Sequence, residues 1–328
     1  MTGKAATTTT ATSTTVTTPA ATTATALSSG DAPGVFVHTR AGDVHVVVDG
    51  DPSWPAVATI HGLPGSARDF RVLGGLLAAR GVCTVRIDAP GFGRSPAHRT
   101  LAKTPAERAA LVVDVMRARG HARFGVVAHS FGGSAALAAA ALWPDVVTTL
   151  ALVCTMGVTR HRGLQLPHEL TGALGGLLTL PVVGPRAVAA LQAAYDRAGV
   201  RRDKPVDAQA MHAETQVIGA IDFADLRTFA AHVRCPTLVV GADDDPLVQR
   251  AVSFALVDAL VVAPLVSHRR LRQGGHFLQK HAAAAVAAWL VDCLADRLAD
   301  RLADRLADGL ADGLADGLAD RAAVAAAG

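Results

Sequence analysis

Cysteine is scarce and scattered. Cys83, Cys154, Cys235 and Cys293 form no CxxC pair and no Cys/His cluster, which argues against a disulfide frame or a zinc site and predicts buried, reduced thiols. A charge imbalance is missing too: 31 lysines and arginines face 28 acids, a formal +3 spread over 328 residues. Nothing electrostatic therefore points to nucleic acid or an anionic membrane as partner. No apolar run reaches the roughly 18 to 20 residues of a membrane span. The first 33 residues, mostly threonine and alanine, lack the apolar stretch of a secretory signal. These absences predict a soluble, cytoplasmic chain, with neither metal nor cofactor implied, and they leave the oligomeric state open. The Thr/Ala tract over 1–33 offers too little apolar surface to offset its ordering entropy, so a disordered tail is expected there.

What is present is half apolar residues, enough for one catalytic-sized core with an inserted subdomain. From Val35 onward short β-rich runs alternate with helical stretches, the pattern of a mostly parallel central sheet flanked by helices. VFVHT and VHVVVDG read as an opening hairpin, and AVATI (Ala56 to Ile60) as a buried strand ending in HGLPGS. CTVRID (Cys83 to Asp88) leads into the turn APGFGRSP, and Thr104 with Glu107 has the spacing of a capping box. FGVVA (Phe124 to Ala128) runs into HSFGG and an alanine-rich helix stopped by Pro144. Between 159 and 231 the strand rhythm gives way to apolar residues at helical spacing, a helical insertion that divides the core into 34–158 and 232–292. A weaker strand is expected at His268 to Leu271 and a last helix near Lys280. Residues 293–328 carry a LADR repeat passing into LADG. Its period of four winds the leucine stripe around a helix of 3.6 residues per turn, and it reads as low-complexity tail.

Ser130, in VVAHSFGG, falls between a buried strand and a helix of small residues, where a sharp turn would push its hydroxyl into the open. Ala128 and Gly132 keep the flanking positions small, with alanine where the usual Gly-x-Ser-x-Gly has glycine. HGLPGS, DAPGFGRS, AHSFGG, GADDDPLV and GGHFLQ follow one another as in α/β-hydrolases, and from about Val35 to Asp292 the chain resembles that family. The resemblance implies an α/β-hydrolase fold with an inserted helical cap over 159–231. It also implies a triad in chain order: Ser130 as nucleophile, Asp245 as acid and His276 as base. A serine hydroxyl is a poor nucleophile until an imidazole can take its proton, and His276, on a tight loop between glycine and Phe277, has that freedom. His268 and His281 belong to a strand and a helix. His129 should point away from Ser130, and His61 should brace its own loop.

Among the consecutive Asp243, Asp244 and Asp245, the count from Pro236 favours Asp245, with Asp244 as runner-up. An oxyanion needs fixed N–H donors, and the backbone amides of Leu63 and Phe131 are the expected pair. Asp88, Gly91 and Gly93 are expected as turn scaffold. A serine nucleophile disfavours dehalogenation and epoxide opening, which use aspartate on this fold. The expected activity is hydrolysis of small to medium hydrophobic carboxylic esters, the Leu/Val/Ala-rich insertion supplying the substrate walls. Carbon–carbon hydrolysis of diketones, perhydrolysis and a catalytically silent ligand-binding role are the competing expectations.

Overall fold

The computed structural model of the chain describes residues 12–15, 33–97, 102–164, 168–197 and 208–295. Most of the expected N-terminal tail and the repeat beyond 295 lie outside them. Within that tail, Thr12–Thr15 forms β1, which pairs parallel with β9 (Val266–Leu271) at the sheet edge.

Runs rich in valine, alanine and leucine become the central strands β4 (Ala56–Ile60), β6 (Phe124–His129), β7 (Val147–Val153) and β8 (Thr237–Ala242), joined by β5 (Cys83–Ile87), which carries Thr84 and Arg86; all five are buried at every residue. A strand apolar on both faces is stable only where helices cover both sides, which is the setting of parallel pairing. The opening hairpin is β2 (Val35–Thr39) and β3 (Gly42–Asp49), antiparallel to each other, with β3 antiparallel to β5. The sheet runs β1-β9-β8-β7-β6-β4-β5-β3-β2, and from β5 to β9 its pairs are parallel.

Two apolar layers clamp this sheet. On one face lie side chains of α2 (Pro105–Ala118), α3 (Gly132–Leu142), α7 (Phe223–His232) and α8 (Arg250–Ala259), among them Met116, Leu137, Leu226 and Leu256. On the other, Phe70, Leu73 and Leu77 around α1 (Arg71–Ala78) meet Val286, Leu290 and Leu294 of the helical residues 283–295. Leu294, first leucine of the repeat, is thus core. A buried leucine truncated to alanine loses about 2–5 kcal/mol, a large share of a domain's usual 5–15, so these layers hold the strand ends rigidly.

Helix starts follow the local chemistry. Thr104 Oγ1 accepts from the Glu107 amide at 3.2 Å while Glu107 Oε2 accepts from the Thr104 amide at 3.0 Å, closing the capping box. Between β7 and β8 the described elements are all helical: α4 (His168–Gly175), α5 (Gly184–Arg197), α6 (Ala208–Gly219) and α7. α7 packs on α3 through Leu226 and Ala230, so it sits with the core layer while α4 packs on α6. β9 starts at Val266 rather than His268, and the last described helix, expected near Lys280, is residues 283–295, preceded by the single turn α9 (Leu278–His281). Cys83, Cys154 and Cys235 are buried free thiols and Cys293 is half-buried. No helix among the described residues is long and apolar enough to cross a membrane.

Candidate active site

Ser130 follows β6 directly and has φ +51°, the left-handed region that side chains with a Cβ avoid. Three backbone bonds hold it there: its amide donates to Val153 O (3.1 Å), and its carbonyl accepts from Gly133 (3.1 Å) and Met156 (3.0 Å). Strain of about 1–3 kcal/mol is typical of such a residue, and it persists where the surroundings over-determine the backbone. The small neighbours are required by distance. A Cβ on Gly62 would lie 2.8 Å from Ser130 Cβ, and one on Gly132 would run into the carbonyl oxygens of Ile60 and His61.

The structure brings Ser130, His276 and Asp245 together. Ser130 Oγ lies 2.9 Å from His276 Nε2, and His276 Nδ1 lies 2.9 and 3.1 Å from the two Asp245 oxygens. With Nδ1–H donating to the carboxylate, Nε2 is left to accept the serine proton. Burial works to raise the pKa of the Asp245 carboxyl, but hydrogen bonds from His276 and from the Val248 and Leu247 amides outweigh it and hold it below the usual value. The other two aspartates face elsewhere. Asp244 accepts from the amides of Gly274 (3.1 Å) and Gly275 (2.8 Å), tying down the loop that carries His276. Asp243 takes Arg270 Nε at 2.8 Å.

His129, next to Ser130 in the chain, lines the same cavity; its Nε2 donates to His276 O at 2.8 Å and its ring lies 4.9 Å from the His276 ring. His61 braces its loop, Nδ1 donating to Gly62 O (2.7 Å) and Nε2 accepting from the Ala89 amide (3.0 Å). His268 packs edge-on against Phe254, and His281 touches Gly274 O. Asp88 accepts from His45, Ala67 and Arg94, and a Cβ on Gly93 would strike its carboxylate, the scaffold role expected of that turn.

Burial, and then the proximity of His276, pushes the His129 imidazole down to about 3 from 6.5. The unfolded chain therefore binds a proton at this residue between those values while the folded chain does not. Its contribution is complete above pH 6.5 and is lost as pH falls toward 3. His129→Gln, which keeps an N–H donor for His276 O, is expected to flatten the fall in stability below pH 6.5 by about 1.4 kcal/mol per pH unit. Urea midpoints from pH 4.5 to 7 measure it; parallel curves for the two proteins would reject the assignment.

A cavity of about 390 Å³ opens on Ser130 and His276, with Leu63 and Phe131, the expected oxyanion residues, in its wall. Leu177, Leu178, Ala187, Leu191 and Ile218 of the helical insertion add an aliphatic part of the wall. Two lining residues escape a reading of the sequence. His161, on the connection out of β7, accepts from the Gly163 amide at 3.1 Å and is pushed by burial to about 4; Glu214, on α6, is buried. Only their place at the junction of core and insertion hints at them. Cys154, Asp245 and His276 offer ligand atoms within 4.8 Å of one another. Asp245 and His276 are already each other's partners, and burial raises the Cys154 thiol well above its usual value. The cluster is the packed underside of the Asp245–His276 pair.

The family model described as "Alpha/beta hydrolase family" matches residues 57–289. The chain belongs to that family. This α/β hydrolase is 30% identical over 263 residues, 76% of its length and 96% of the relative's, to a Variovorax paradoxus (strain S110) protein named as a carbamate hydrolase, RutD. Among solved structures, the enol-lactonase from Burkholderia xenovorans LB400 superimposes with TM-score 0.63 at 20% identity, over 80% of this hydrolase and all of that chain. A thioesterase domain from the curacin biosynthetic pathway gives 0.58 at 20% identity, over 79% and 98%. At those identities the likeness is one of fold.

Proposed function

We propose that this hydrolase is a serine hydrolase working through an acyl-enzyme on small to medium hydrophobic carboxylic esters. The observation that carries the reading is the hydrogen-bonded chain from Ser130 Oγ through the His276 ring to the Asp245 carboxylate. As Ser130 Oγ attacks the ester carbonyl carbon, His276 Nε2 takes its proton and Asp245 stabilises the imidazolium. The carbonyl oxygen becomes an oxyanion, received by the Leu63 and Phe131 amides. Collapse expels the alcohol, which takes the proton from His276. Water then repeats the sequence on the acyl-serine and releases the acid. The aliphatic cavity wall supports an apolar acyl or alcohol group. A carbamate is the second reading, favoured by the name of the Variovorax relative.

A panel of p-nitrophenyl acyl esters, a matched aryl carbamate and a diketone separates these. The expected order of kcat/KM is ester above carbamate, with no diketone cleavage and with stoichiometric labelling by a fluorophosphonate. Diketone cleavage without ester turnover would assign carbon–carbon hydrolysis, and absence of both turnover and labelling would leave a silent, ligand-binding fold.

A further inference from the structure

Arg108 is a buried charge that this reaction scheme leaves unused. It lies near the start of α2, 5% exposed, and neither terminal nitrogen has a hydrogen-bond partner among the described residues. Arg86, equally buried, has Asp49 bidentate at 2.6 and 2.9 Å, so the fold does supply a carboxylate to an arginine when it buries one. Arg108 instead places its Cζ 5.3 Å from the ring centroid of Phe131, the residue directly after Ser130. Burial lowers its pKa to about 10, still well above neutrality, so the guanidinium remains charged. An uncompensated buried cation is costly, and a protein that retains one is using it or has an anion for it.

The position of the charge points to the anion. Phe131 lines the cavity and contributes one of the two amides assigned to the oxyanion. The same field is felt at His61, which heads the loop carrying Leu63: burial first, with the Arg108 charge a smaller part, disfavours protonation of that imidazole. We propose that Arg108 is a positioning residue for charge, directing its field past the Phe131 ring at the substrate oxyanion, so that the counter-charge it lacks among the described residues arises during reaction. In a water-poor interior such a fixed charge acts on developing charge without reorganisation. The proposal rests on the serine-hydrolase reading.

The test compares Arg108→Met and Arg108→Lys with the wild type on a neutral p-nitrophenyl ester, on a p-nitrophenyl ester carrying a carboxylate, and with an aryl boronic acid, which forms a tetrahedral anion on serine. For Arg108→Met the expected result is a kcat lower by about 10- to 100-fold with KM within about twofold. Boronate affinity falls by the same factor. Tm rises, because an unpaired buried charge has been replaced by an apolar chain of similar length. Arg108→Lys keeps most of the activity. Unchanged kcat and boronate affinity would overturn the proposal, as would a Met variant less stable than wild type, which would make Arg108 structural. A loss confined to esters carrying a carboxylate would also overturn it, in favour of a ground-state anion subsite. Should the wild type itself neither turn over the ester nor bind the boronate, the underlying serine-hydrolase reading fails, and that outcome is visible before any variant is made.

Discussion

Ser130→Ala is expected to lower kcat for p-nitrophenyl esters by about 10⁴- to 10⁶-fold, the scale on which loss of the nucleophile acts in hydrolases of this chemistry. The reason is positional as much as chemical. The hydroxyl is the group presented to His276 Nε2 at 2.9 Å, on a backbone fixed at φ +51° by bonds to Val153, Gly133 and Met156. The substitution removes one oxygen and none of those bonds. Alanine meets the same backbone strain as serine, so thermal stability should shift little, and the cavity wall of Leu63, Phe131 and the insertion leucines stays in place. Substrate affinity should therefore survive the loss of turnover, measurable by calorimetry with an unhydrolysed ester. Fluorophosphonate labelling should vanish. Turnover above about a thousandth of wild type, in protein free of wild-type contamination, would remove Ser130 from the nucleophile's role.

Much of this arrangement was legible in the chain because the forces that build it are local. β4, β6, β7 and β8 are mostly apolar runs with helices on both faces, and such runs stand out from polar surroundings. The elbow is legible for the same reason, since Gly132 and Gly62 are small on account of contacts within a few residues of Ser130 and with one neighbouring loop. Features made by three-dimensional closure were not legible. Most of α2 and all of β6 lie between Arg108 and Ser130, and nothing in TPAERAAL signals that the terminal nitrogens of the guanidinium end without a partner among the described residues, beside the ring of Phe131. The cavity wall depends on which faces of α5 and α6 turn inward, and the alanine-rich insertion has apolar residues on several faces. α7 could not be told from α4 to α6 by its pattern, because packing on α3 uses the same spacing as packing in a cap.

The consecutive aspartates show the boundary between the two kinds of information, and they give the second large effect. A count along the loop could rank Asp245 over Asp244 but could not say what the other two do. In the structure Asp245 meets His276 Nδ1, Asp244 holds the amides of Gly274 and Gly275, and Asp243 meets Arg270. Asp245→Asn is expected to lower kcat by about 10³- to 10⁴-fold with the geometry intact, since the amide stabilises the wrong histidine tautomer and cannot balance the imidazolium. Asp244→Asn keeps one oxygen to accept from the loop amides and leaves the histidine's partner untouched. Its expected effect is no more than about tenfold, roughly the 1.4 kcal/mol of one weakened hydrogen bond, and it should appear as a mobile His276 loop rather than a lost base. Rescue divides the two further. Asp245→Asn should recover activity as pH rises, where hydroxide can replace the missing base, while Asp244→Asn should keep the wild-type pH profile. Equal losses with parallel profiles would mean that Asp244 and Asp245 share the histidine, and that the count along the loop had selected the acid no better than chance.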